Sequence, residues 1–534
     1  MHPALLPDTP ENRRLAEWVA PPDWKNPVPA RKYHLVVLGG GTAGLICAIG
    51  AAGLGARVAL VESGLLGGDC LNVGCVPSKA LLRSARGVAS VRGAPDVGID
   101  LPGPPVPDFP RVMQRLRALR ASIAPHDSAS RYQGLGVDVF LGRGRFLSPR
   151  ELVVDPQPGA GPQVRLSFHR AVIATGGRPH IPNLPGLAAA QPLTNETVFS
   201  LETLPPRLAV MGAGPVGCEL AQALARLGSR VTLVANHSQV LPREPSDAAR
   251  LVEASLRRDG IDLRLGVVPL RVEPASGAAW PGDGMPGDRV PSNAGARAIR
   301  GHTLIVAGGA GEERIDCDQI LIAAGRVPNV EGLGLEQAGV ASDLHRGVLV
   351  DDFLRTANRR IYAAGDVCSP QRFTHAADAM ARIVIRNALF WGRQRFSRLV
   401  IPWCTYTSPE VAGVGLTAEA ARLAGVAIDT YRHELSQTDR AVLEGATEGY
   451  FEVHVRRGTD QIVGGTVVGE HAGEWLTPLT TALTTGRGLR TLSGVITPYP
   501  TVSAAWGRLG DACNRARLTP TVARLLRGWL RLWG

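Results

Sequence analysis

Cysteine is scarce in this sequence, with eight among 534 residues, and the eight are scattered along the chain. A secreted protein stapled by disulfides has more cysteines in a much shorter chain, so that class is excluded. The sequence also lacks a run of about 18 apolar residues, and its start lacks a positive segment followed by an apolar one. We therefore expect no transmembrane helix and no secretory signal, and we predict a cytoplasmic location, where thiols stay reduced.

The charge is unbalanced but carries no signature of nucleic-acid binding. Lys and Arg number 58 against 47 Asp and Glu, which gives a net charge of +11. The sequence has no lysine-rich run, no zinc-finger spacing and no interleaving of aromatic with basic residues. We expect no nucleic-acid partner, and the length predicts a globular protein of several domains.

What the sequence does contain is a strand, a glycine-rich turn and a helix near its start. The buried strand His34–Leu38 leads into three glycines, Gly39, Gly41 and Gly44. They supply the tight turn, the close backbone approach and the helix–strand contact that a pyrophosphate needs. A second strand ends in Glu62, about 20 residues further on, where an acid accepts hydrogen bonds from a ribose. This pattern predicts a Rossmann-like site for a dinucleotide.

The same pattern occurs a second time. Strand Leu208–Met211 leads into Gly212, Gly214 and Gly217, and a further strand, Arg230–Val234, follows the predicted helix. Two such folds predict two dinucleotides, one held as a prosthetic group and one exchanged as a substrate.

Two of the cysteines are closely spaced. Between Gly67 and Lys79 the chain reads Gly-Gly-Asp-Cys-Leu-Asn-Val-Gly-Cys-Val-Pro-Ser-Lys, which places Cys70 and Cys75 in a Cys-x4-Cys at a predicted helix start. That position permits a disulfide, and the helix dipole favours a thiolate after reduction. A thiolate pair attacks disulfides and binds soft metals.

Over roughly residues 32–515 these motifs resemble the pyridine nucleotide–disulfide oxidoreductases, the family of lipoamide dehydrogenase, glutathione reductase and mercuric reductase. The resemblance implies an α/β fold with two Rossmann-like domains, for FAD and NAD(P)H, and a C-terminal α+β domain that forms a homodimer. The predicted bounds are an N-terminal extension at 1–31, an FAD domain at 32–190 and 320–396, an NAD(P)H domain at 200–319 with a flexible insertion at 271–302, a dimerisation domain at 397–515 and a basic amphipathic helix at 516–534.

The resemblance also implies roles for single residues. Cys75 lies against the flavin, Cys70 meets the substrate, and Lys79 lies near the flavin N5 with Glu219 as its ion-pair partner. Further FAD contacts fall on Thr175, Gly176, Gly365 and Asp366, whose carboxylate binds the ribityl chain, and Gly325 is assigned to NAD(P)H.

The chain departs from the family near its C-terminus. Lipoamide dehydrogenase and glutathione reductase carry His-Pro-Thr-x-x-Glu, whose histidine moves a proton to the departing thiolate. Here the segment begins with Tyr499 and ends with Ala504. Loss of such a base costs about 10²–10⁴-fold, which disfavours dithiol substrates. A tyrosine at this position, supplied by the partner subunit, and Asp69 in the cysteine motif both resemble mercuric reductases.

A second departure from the family pattern argues against mercuric reductase. Mercuric reductases carry a vicinal cysteine pair on the C-terminal tail, whereas the last cysteine here is the single Cys513. No Cys-x-x-Cys precedes the first strand, so we also expect no N-terminal metal-binding domain. Cys70 and Cys75 could still hold a linear Hg(II), although the usual delivery route is absent. We predict no other metal site.

The choice of nicotinamide nucleotide is suggested by the end of the second strand. An NAD enzyme places an acid there, but residues 235–238 contain none. His237 and Arg243 could meet a 2′-phosphate, or they could be solvated loop residues. NADPH is the predicted donor and NADH the alternative.

The tail contains a basic amphipathic pattern. Thr519 and Pro520 form a helix start, after which apolar residues line one face and arginines the other: Val522, Leu525, Leu526, Trp529, Leu530 and Trp533 against Arg524, Arg527 and Arg531. Such a helix packs on its own dimer or lies in a membrane interface, and both readings stay open.

The leading hypothesis is an FAD-dependent NAD(P)H oxidoreductase, most like mercuric reductase, that reduces a thiol-reactive small molecule or metal ion through Cys70 and Cys75. The alternatives are a dihydrolipoamide dehydrogenase-like disulfide reductase and a peripheral-membrane electron-transfer flavoprotein. The sequence does not identify the acceptor.

Overall fold

A computed structural model describes residues 2–274, 301–309 and 311–533. They form two compact units, one made of Met1–Ser238 with Asp259–Arg398 and one made of Gln239–Arg258 with Leu399–Gly534. Most of the predicted insertion 271–302 lies outside the described residues. The predicted domain bounds stay a prediction.

The helices of the described residues follow in chain order. They are α1 (Pro10–Val19), α2 (Thr42–Gly53), α3 (Gly68–Asn72), α4 (Cys75–Arg92), α5 (Phe109–Ile123), α6 (Ala129–Gly134), α7 (Pro215–Arg226), α8 (Ser246–Arg258), α9 (Thr374–Leu389), α10 (Ala418–Leu423), α11 (Asp439–Leu443), α12 (Ala472–Trp475), α13 (Thr477–Thr484), α14 (Leu489–Ser493), α15 (Ala504–Ala516) and α16 (Pro520–Leu530). None of these described helices is long and apolar enough to cross a membrane.

The strands alternate with these helices in the first unit and cluster in the second. They are β1 (Tyr33–Leu38), β2 (Val58–Glu62), β3 (Val137–Ser148), β4 (Glu151–Pro156), β5 (Val164–Ile173), β6 (Gly177–Pro179), β7 (Arg207–Met211), β8 (Arg230–Ala235), β9 (Asp262–Leu265), β10 (Val268–Pro274), β11 (His302–Gly308), β12 (Gly311–Cys317), β13 (Gln319–Ile322), β14 (Arg326–Pro328), β15 (Ser342–Asp343), β16 (Gly347–Val348), β17 (Ile361–Ala363), β18 (Trp403–Thr405), β19 (Glu410–Gly415), β20 (Ile428–Glu434), β21 (Tyr450–Arg456) and β22 (Ile462–Gly469).

The first unit contains two parallel sheets, one for each glycine-rich turn. Strands β3, β2, β1, β5 and β17 lie side by side and parallel, and β3, β4 and β5 continue as an antiparallel meander. The second sheet has the parallel order β13, β7, β8, β9, beside the antiparallel strands β10 to β12. Strands β1 and β7 are buried almost throughout, as expected of parallel strands covered on both faces.

The second unit is a five-stranded antiparallel sheet in the order β18, β19, β22, β21, β20. One hydrophobic core joins its strands to α12–α15, and it includes Phe451 of β21 and Trp506 of α15. Helix α16 buries none of its residues. The predicted fold class, two Rossmann-like domains followed by an α+β domain, is confirmed.

Helix α1 lies in the N-terminal extension, where the sequence pattern predicts no helix. Thr9 caps it by accepting a hydrogen bond from the Asn12 amide, and Leu15 and Val19 are fully buried. The prolines around this short segment hide its period, although a Thr-Pro start is a helix signal. The lack of a long period predicts an extension laid on the surface, and this prediction is wrong for α1, which is partly core.

Candidate functional site

The two cysteines of the Cys-x4-Cys lie on successive helices. Cys70 is in α3, and Cys75 is the first residue of α4. The chain turns between them at Gly74, where a Cβ atom would lie 2.7 Å from the carbonyl oxygen of Asp69. Only glycine fits there, so the turn between the two cysteines depends on this residue.

The cysteine segment packs directly on the first glycine-rich turn. A Cβ atom at Gly68, which has a φ of +56°, would lie 2.7 Å from the Cα atom of Gly41. Two glycines therefore let the redox motif and the predicted pyrophosphate turn approach to backbone contact. A group bound at the turn is placed beside the cysteines by this contact.

The pKa values of the two thiols are shifted in opposite directions. Both are free, and a hydrogen bond between them raises the pKa of Cys70 and lowers that of Cys75 to about 6. The Thr374 hydroxyl, 3.3 Å from the Cys75 sulfur, and the positive charge of Lys79 lower the Cys75 pKa further, against the effects of desolvation and of Glu219. Burial adds to the raised pKa of Cys70. At neutral pH the pair therefore holds a thiolate on Cys75 and a proton on Cys70.

Lys79 and Glu219, two residues from separate motifs, form the predicted ion pair. The Lys79 Nζ lies 2.8 Å from the Glu219 Oε2, and the glutamate side chain is 6% exposed. The pair joins α4, one turn after Cys75, to α7, which begins directly after the second glycine-rich turn. It fixes the ammonium close to the thiolate.

The first glycine-rich turn has the shape that a pyrophosphate requires. Gly39 has a φ of +109°, and a Cβ atom at Gly44 would lie 1.8 Å from the Gly39 carbonyl oxygen. The N-cap residue of α2, Gly41, provides no side-chain hydrogen bond to the first turn of the helix. The helix start can therefore receive a phosphate, so the residues present fit FAD.

Glu62 does more in this turn than the sequence analysis expected. Its two carboxylate oxygens accept hydrogen bonds from the amides of Gly40 and Gly64. Burial raises its pKa, and these hydrogen bonds oppose the rise. A carboxylate oxygen has room for a second donor, so a ribose contact stays a prediction.

The second glycine-rich turn repeats this construction. Gly212 has a φ of +114°, and a Cβ atom at Gly217 would lie 1.9 Å from its carbonyl oxygen. Gly214, the N-cap residue of α7, again provides no side-chain cap. Gly325, with a φ of +104°, has open space where its Cβ would be. This turn fits the second dinucleotide.

His237 and Arg243, the residues suggested for a 2′-phosphate, are both exposed. His237 belongs to the first compact unit, and Arg243 belongs to the second. Their role stays a prediction.

The remaining predicted FAD residues directly follow two neighbouring strands, β5 and β17. The Thr175 hydroxyl donates to the Asn329 carbonyl at 2.8 Å, and the Asn329 amide donates back to Thr175 at 2.9 Å. Gly176 has a φ of +65° and Gly365 a φ of +82°, and a Cβ atom at Gly365 would lie 3.4 Å from that of Ala43 in α2. The Gly365 turn, which is predicted to contact FAD, therefore packs on α2, the helix that follows the first glycine-rich turn.

Arg326 is a site residue that the sequence analysis did not select. Its guanidinium forms an ion pair with the Asp69 carboxylate and lies 3.6 Å from that of Asp366. Burial raises the pKa of Asp366, and Arg326 opposes this rise. Arg326 thus ties the cysteine motif to Asp366, the residue predicted to bind the ribityl chain. Its position directly after Gly325 was the available signal.

A buried cation also holds the cysteine segment in place. Arg120 of α5 is fully buried and donates to the Asn72 carbonyl at 2.7 Å and to the Asn12 side chain. The Asn72 side chain in turn donates to the carbonyls of Leu66 and Gly68. The N-terminal helix α1 therefore supports the redox motif through two asparagines and an arginine.

Tyr499 lies in the second unit and is 80% exposed. Its hydroxyl donates to the Asp439 carboxylate at 3.0 Å, which raises the pKa of the tyrosine. Its placement in a partner's site stays a prediction. In the described ranges, no group of three or more His, Cys, Asp or Glu side chains is arranged to hold a metal ion.

Comparison with known proteins agrees with this geometry. Residues 33–381 match the family described as pyridine nucleotide-disulphide oxidoreductase, and residues 401–509 match its dimerisation domain. The chain is 35% identical to a dihydrolipoyl dehydrogenase of Thermus scotoductus, over 91% of this chain and 98% of the relative. It is 33% identical to a mercuric reductase of Streptomyces lividans, over 89% and 94%. A mercuric reductase of Staphylococcus aureus is 30% identical, over 88% and 80%.

Solved structures show the same fold. LpdA from Mycobacterium tuberculosis superposes with a TM-score of 0.77 at 27% identity, covering 90% of this chain and 99% of that one. The Cu(II) complex of the HOCl-induced flavoprotein disulfide reductase RclA from Escherichia coli gives 0.75 at 24%, covering 90% and 100%. The dimerisation domain supports a homodimer. The chain belongs to the pyridine nucleotide-disulphide oxidoreductases, a family of enzymes that use FAD and NAD(P)H.

Proposed function

We propose that the protein passes electrons from NAD(P)H through a Cys70–Cys75 disulfide to a thiol-reactive acceptor. The observation that carries this proposal is the packing of the cysteine segment on the first glycine-rich turn, with the Thr374 hydroxyl 3.3 Å from the Cys75 sulfur at the start of α4. The hydrogen bond from Cys70, the Thr374 hydroxyl and Lys79 lower the pKa of Cys75 there. A structural cysteine needs no such environment, whereas a redox cysteine does.

The two glycine-rich turns hold the two dinucleotides, with Gly41 and Gly214 at the helix starts that meet the phosphates. When bound, FAD would accept a hydride from NAD(P)H and pass on two electrons. Two electrons and one proton convert the disulfide into a Cys75 thiolate and a Cys70 thiol. Lys79, Thr374 and the start of α4 hold the negative charge at Cys75.

Cys70 then attacks the acceptor. Its proton passes to Cys75 along the hydrogen bond between the two sulfurs, since the raised pKa of Cys70 and the lowered pKa of Cys75 describe one shared proton. For a disulfide acceptor, Cys70 forms a mixed disulfide and releases a thiolate, which takes the proton from Cys75 and leaves as a thiol. The Cys75 thiolate next attacks Cys70, which releases the second sulfur as a thiolate that solvent protonates, and the starting disulfide is restored.

We favour a mercuric reductase-like acceptor among the thiol-reactive class. Two thiolates suit a soft, linear Hg(II), which takes up two electrons and leaves as Hg(0). Tyr499 in place of the family histidine supports this choice, and so does the similarity to mercuric reductases. A dihydrolipoamide dehydrogenase-like reaction is the alternative, supported by the Thermus relative but lacking the His and Glu of the proton shuttle.

A panel of acceptors tests the proposal. NADPH oxidation is measured with Hg(II), oxidised lipoamide and a water-soluble quinone, using wild type and Cys70→Ser. The proposal predicts turnover with Hg(II) that falls more than about 100-fold in Cys70→Ser. Cys404→Ser, which alters a cysteine outside the motif, keeps it. Unchanged turnover in Cys70→Ser contradicts the dithiol route, and preference for lipoamide selects the alternative.

We also propose NADPH as the preferred donor, because residues 235–238 at the end of β8 contain no acid, and His237 and Arg243 are exposed basic residues further along the chain. The variant Arg243→Glu should raise the KM for NADPH by about tenfold and leave that for NADH unchanged. Equal effects on both nucleotides contradict a 2′-phosphate contact.

A further inference from the structure

The C-terminal helix α16 and the residues around it present an apolar surface that the chain leaves uncovered. Helix α16 buries none of its residues. Leu525 is 70% exposed, Trp529 58% and Trp533 78%. The two tryptophan rings lie 6.2 Å apart at the end of the helix. We name this surface, residues 518–533, the tail face.

The tail face is amphipathic with a strong charge bias. At about 100° per residue, its apolar members fall on one side of the helix: Leu518, Val522, Leu525, Leu526, Trp529, Leu530, Leu532 and Trp533. The arginines Arg524, Arg527 and Arg531 fall on the other side, and Arg515 and Arg517 precede them. The last acidic residue of the sequence is Asp511. The final turns therefore carry five positive charges and no negative one.

The core of the second unit does not need this helix. The hydrophobic cluster of that unit ends at Cys513 in α15 and includes no residue of α16. The match to the dimerisation domain ends at residue 509, before the helix begins. A second copy of the chain would also bring an equally basic helix to the interface, and like charges would repel.

We propose that the tail face docks on an anionic lipid surface. The apolar side enters the boundary between headgroups and acyl chains, and the two tryptophans lie at the level of the headgroups. The arginines meet the anionic headgroups, whose negative surface potential attracts basic residues close to the membrane. This proposal does not rest on the identity of the electron acceptor.

Flotation of the full-length protein with vesicles tests the proposal. The protein should float with vesicles that contain phosphatidylglycerol and not with pure phosphatidylcholine, and added salt should weaken the binding. The double variant Leu525→Glu/Trp529→Glu and the double variant Arg524→Glu/Arg527→Glu should each lose at least about tenfold in binding. Leu423→Glu is the matched control, since Leu423 is 73% exposed on α10 of the same unit.

Truncation of the helix separates an effect on vesicle binding from an effect on folding or on the dimer. A protein truncated after Leu518 should keep its thermal unfolding midpoint and its dimer mass but lose flotation. Unchanged flotation in the tail variants, or equal loss in Leu423→Glu, overturns the proposal. A dimer that dissociates when Leu525 and Trp529 are replaced shows instead that a second copy covers the tail face, and this also overturns it.

Discussion

The hydroxyl of Thr374 lies 3.3 Å from the sulfur of Cys75, so the first residue of α9 meets the first residue of α4. A helix start carries partial positive charge, and here two of them adjoin one sulfur. The thiolate is therefore stabilised by the hydrogen bond from Cys70, a hydroxyl, a nearby ammonium and two helix starts. The hydrogen bond between the two thiols lowers the pKa of Cys75 and raises that of Cys70.

Replacing Thr374 by valine removes the hydrogen bond and keeps the shape of the side chain. Because a hydrogen bond to a charged group contributes about 1.5–3 kcal/mol, the pKa of Cys75 should rise by about one unit or more. The ultraviolet absorbance of the thiolate, followed against pH in the reduced protein, measures the shift. Thr374→Ser is the control and should stay near wild type, and an unshifted valine variant would refute the role of the hydroxyl.

The acidity of Cys75 also predicts a pH dependence of stability. Its pKa is 9.0 in an ordinary environment and about 6 in the folded protein. The folded state thus binds fewer protons than the unfolded state between these values, and stability rises with pH across that range. The gain is largest near pH 9, because the raised pKa of Cys70 opposes it at higher pH, and it is lost as the pH falls through about 6. Urea unfolding of the reduced protein should show this slope, and Cys75→Ser should lack it.

The ion pair between Lys79 and Glu219 gives a third prediction. Lys79→Met leaves the buried Glu219 carboxylate without its ammonium, and the free energy of unfolding should fall by about 1–3 kcal/mol. The double variant Lys79→Met/Glu219→Leu should recover most of that loss, because it removes the buried charge as well. Denaturant unfolding of wild type, Lys79→Met, Glu219→Leu and the double variant forms a double-mutant cycle. A coupling energy near zero would mean that the pair is incidental.

The substitution Gly44→Ala tests the predicted FAD site. In Gly44→Ala the new methyl group would lie 1.8 Å from the Gly39 carbonyl oxygen, so the turn must open. We expect a purified protein with much less bound flavin and a lower unfolding temperature. Gly53→Ala, at the end of the same helix, meets no atom within 4 Å and should retain its flavin. Equal flavin content in both variants would place the dinucleotide elsewhere.

The sequence predicts the parts of the site that are built from local motifs. The turns at Gly39 and Gly212, the cysteine pair and the pairing of Lys79 with Glu219 all depend on short patterns in a fixed order. The structure adds what joins these patterns over long separations. Arg326 meets Asp69 across 257 positions of the sequence. No periodicity or spacing encodes such a contact, because it depends on how the strands are ordered.

Two further residues show the same limit. Thr374 reaches Cys75 across 299 positions, and nothing around it in the sequence marks it as a thiolate partner. Arg120 looks like one of many arginines on an amphipathic helix, yet it is fully buried and holds Asn72. Burial of a single polar side chain depends on the packing of several elements together, which one sequence does not reveal.

An anaerobic titration of the purified protein with NADPH, with alkylation of thiols at each step, tests the central claim most directly. The account predicts that Cys70 and Cys75 are protected from alkylation before NADPH and reactive after it. A long-wavelength absorption band should appear in wild type at the same stage, and Cys75→Ser should lack it. Reduction of the flavin without any gain in reactive thiols would contradict electron transfer through the Cys70–Cys75 pair.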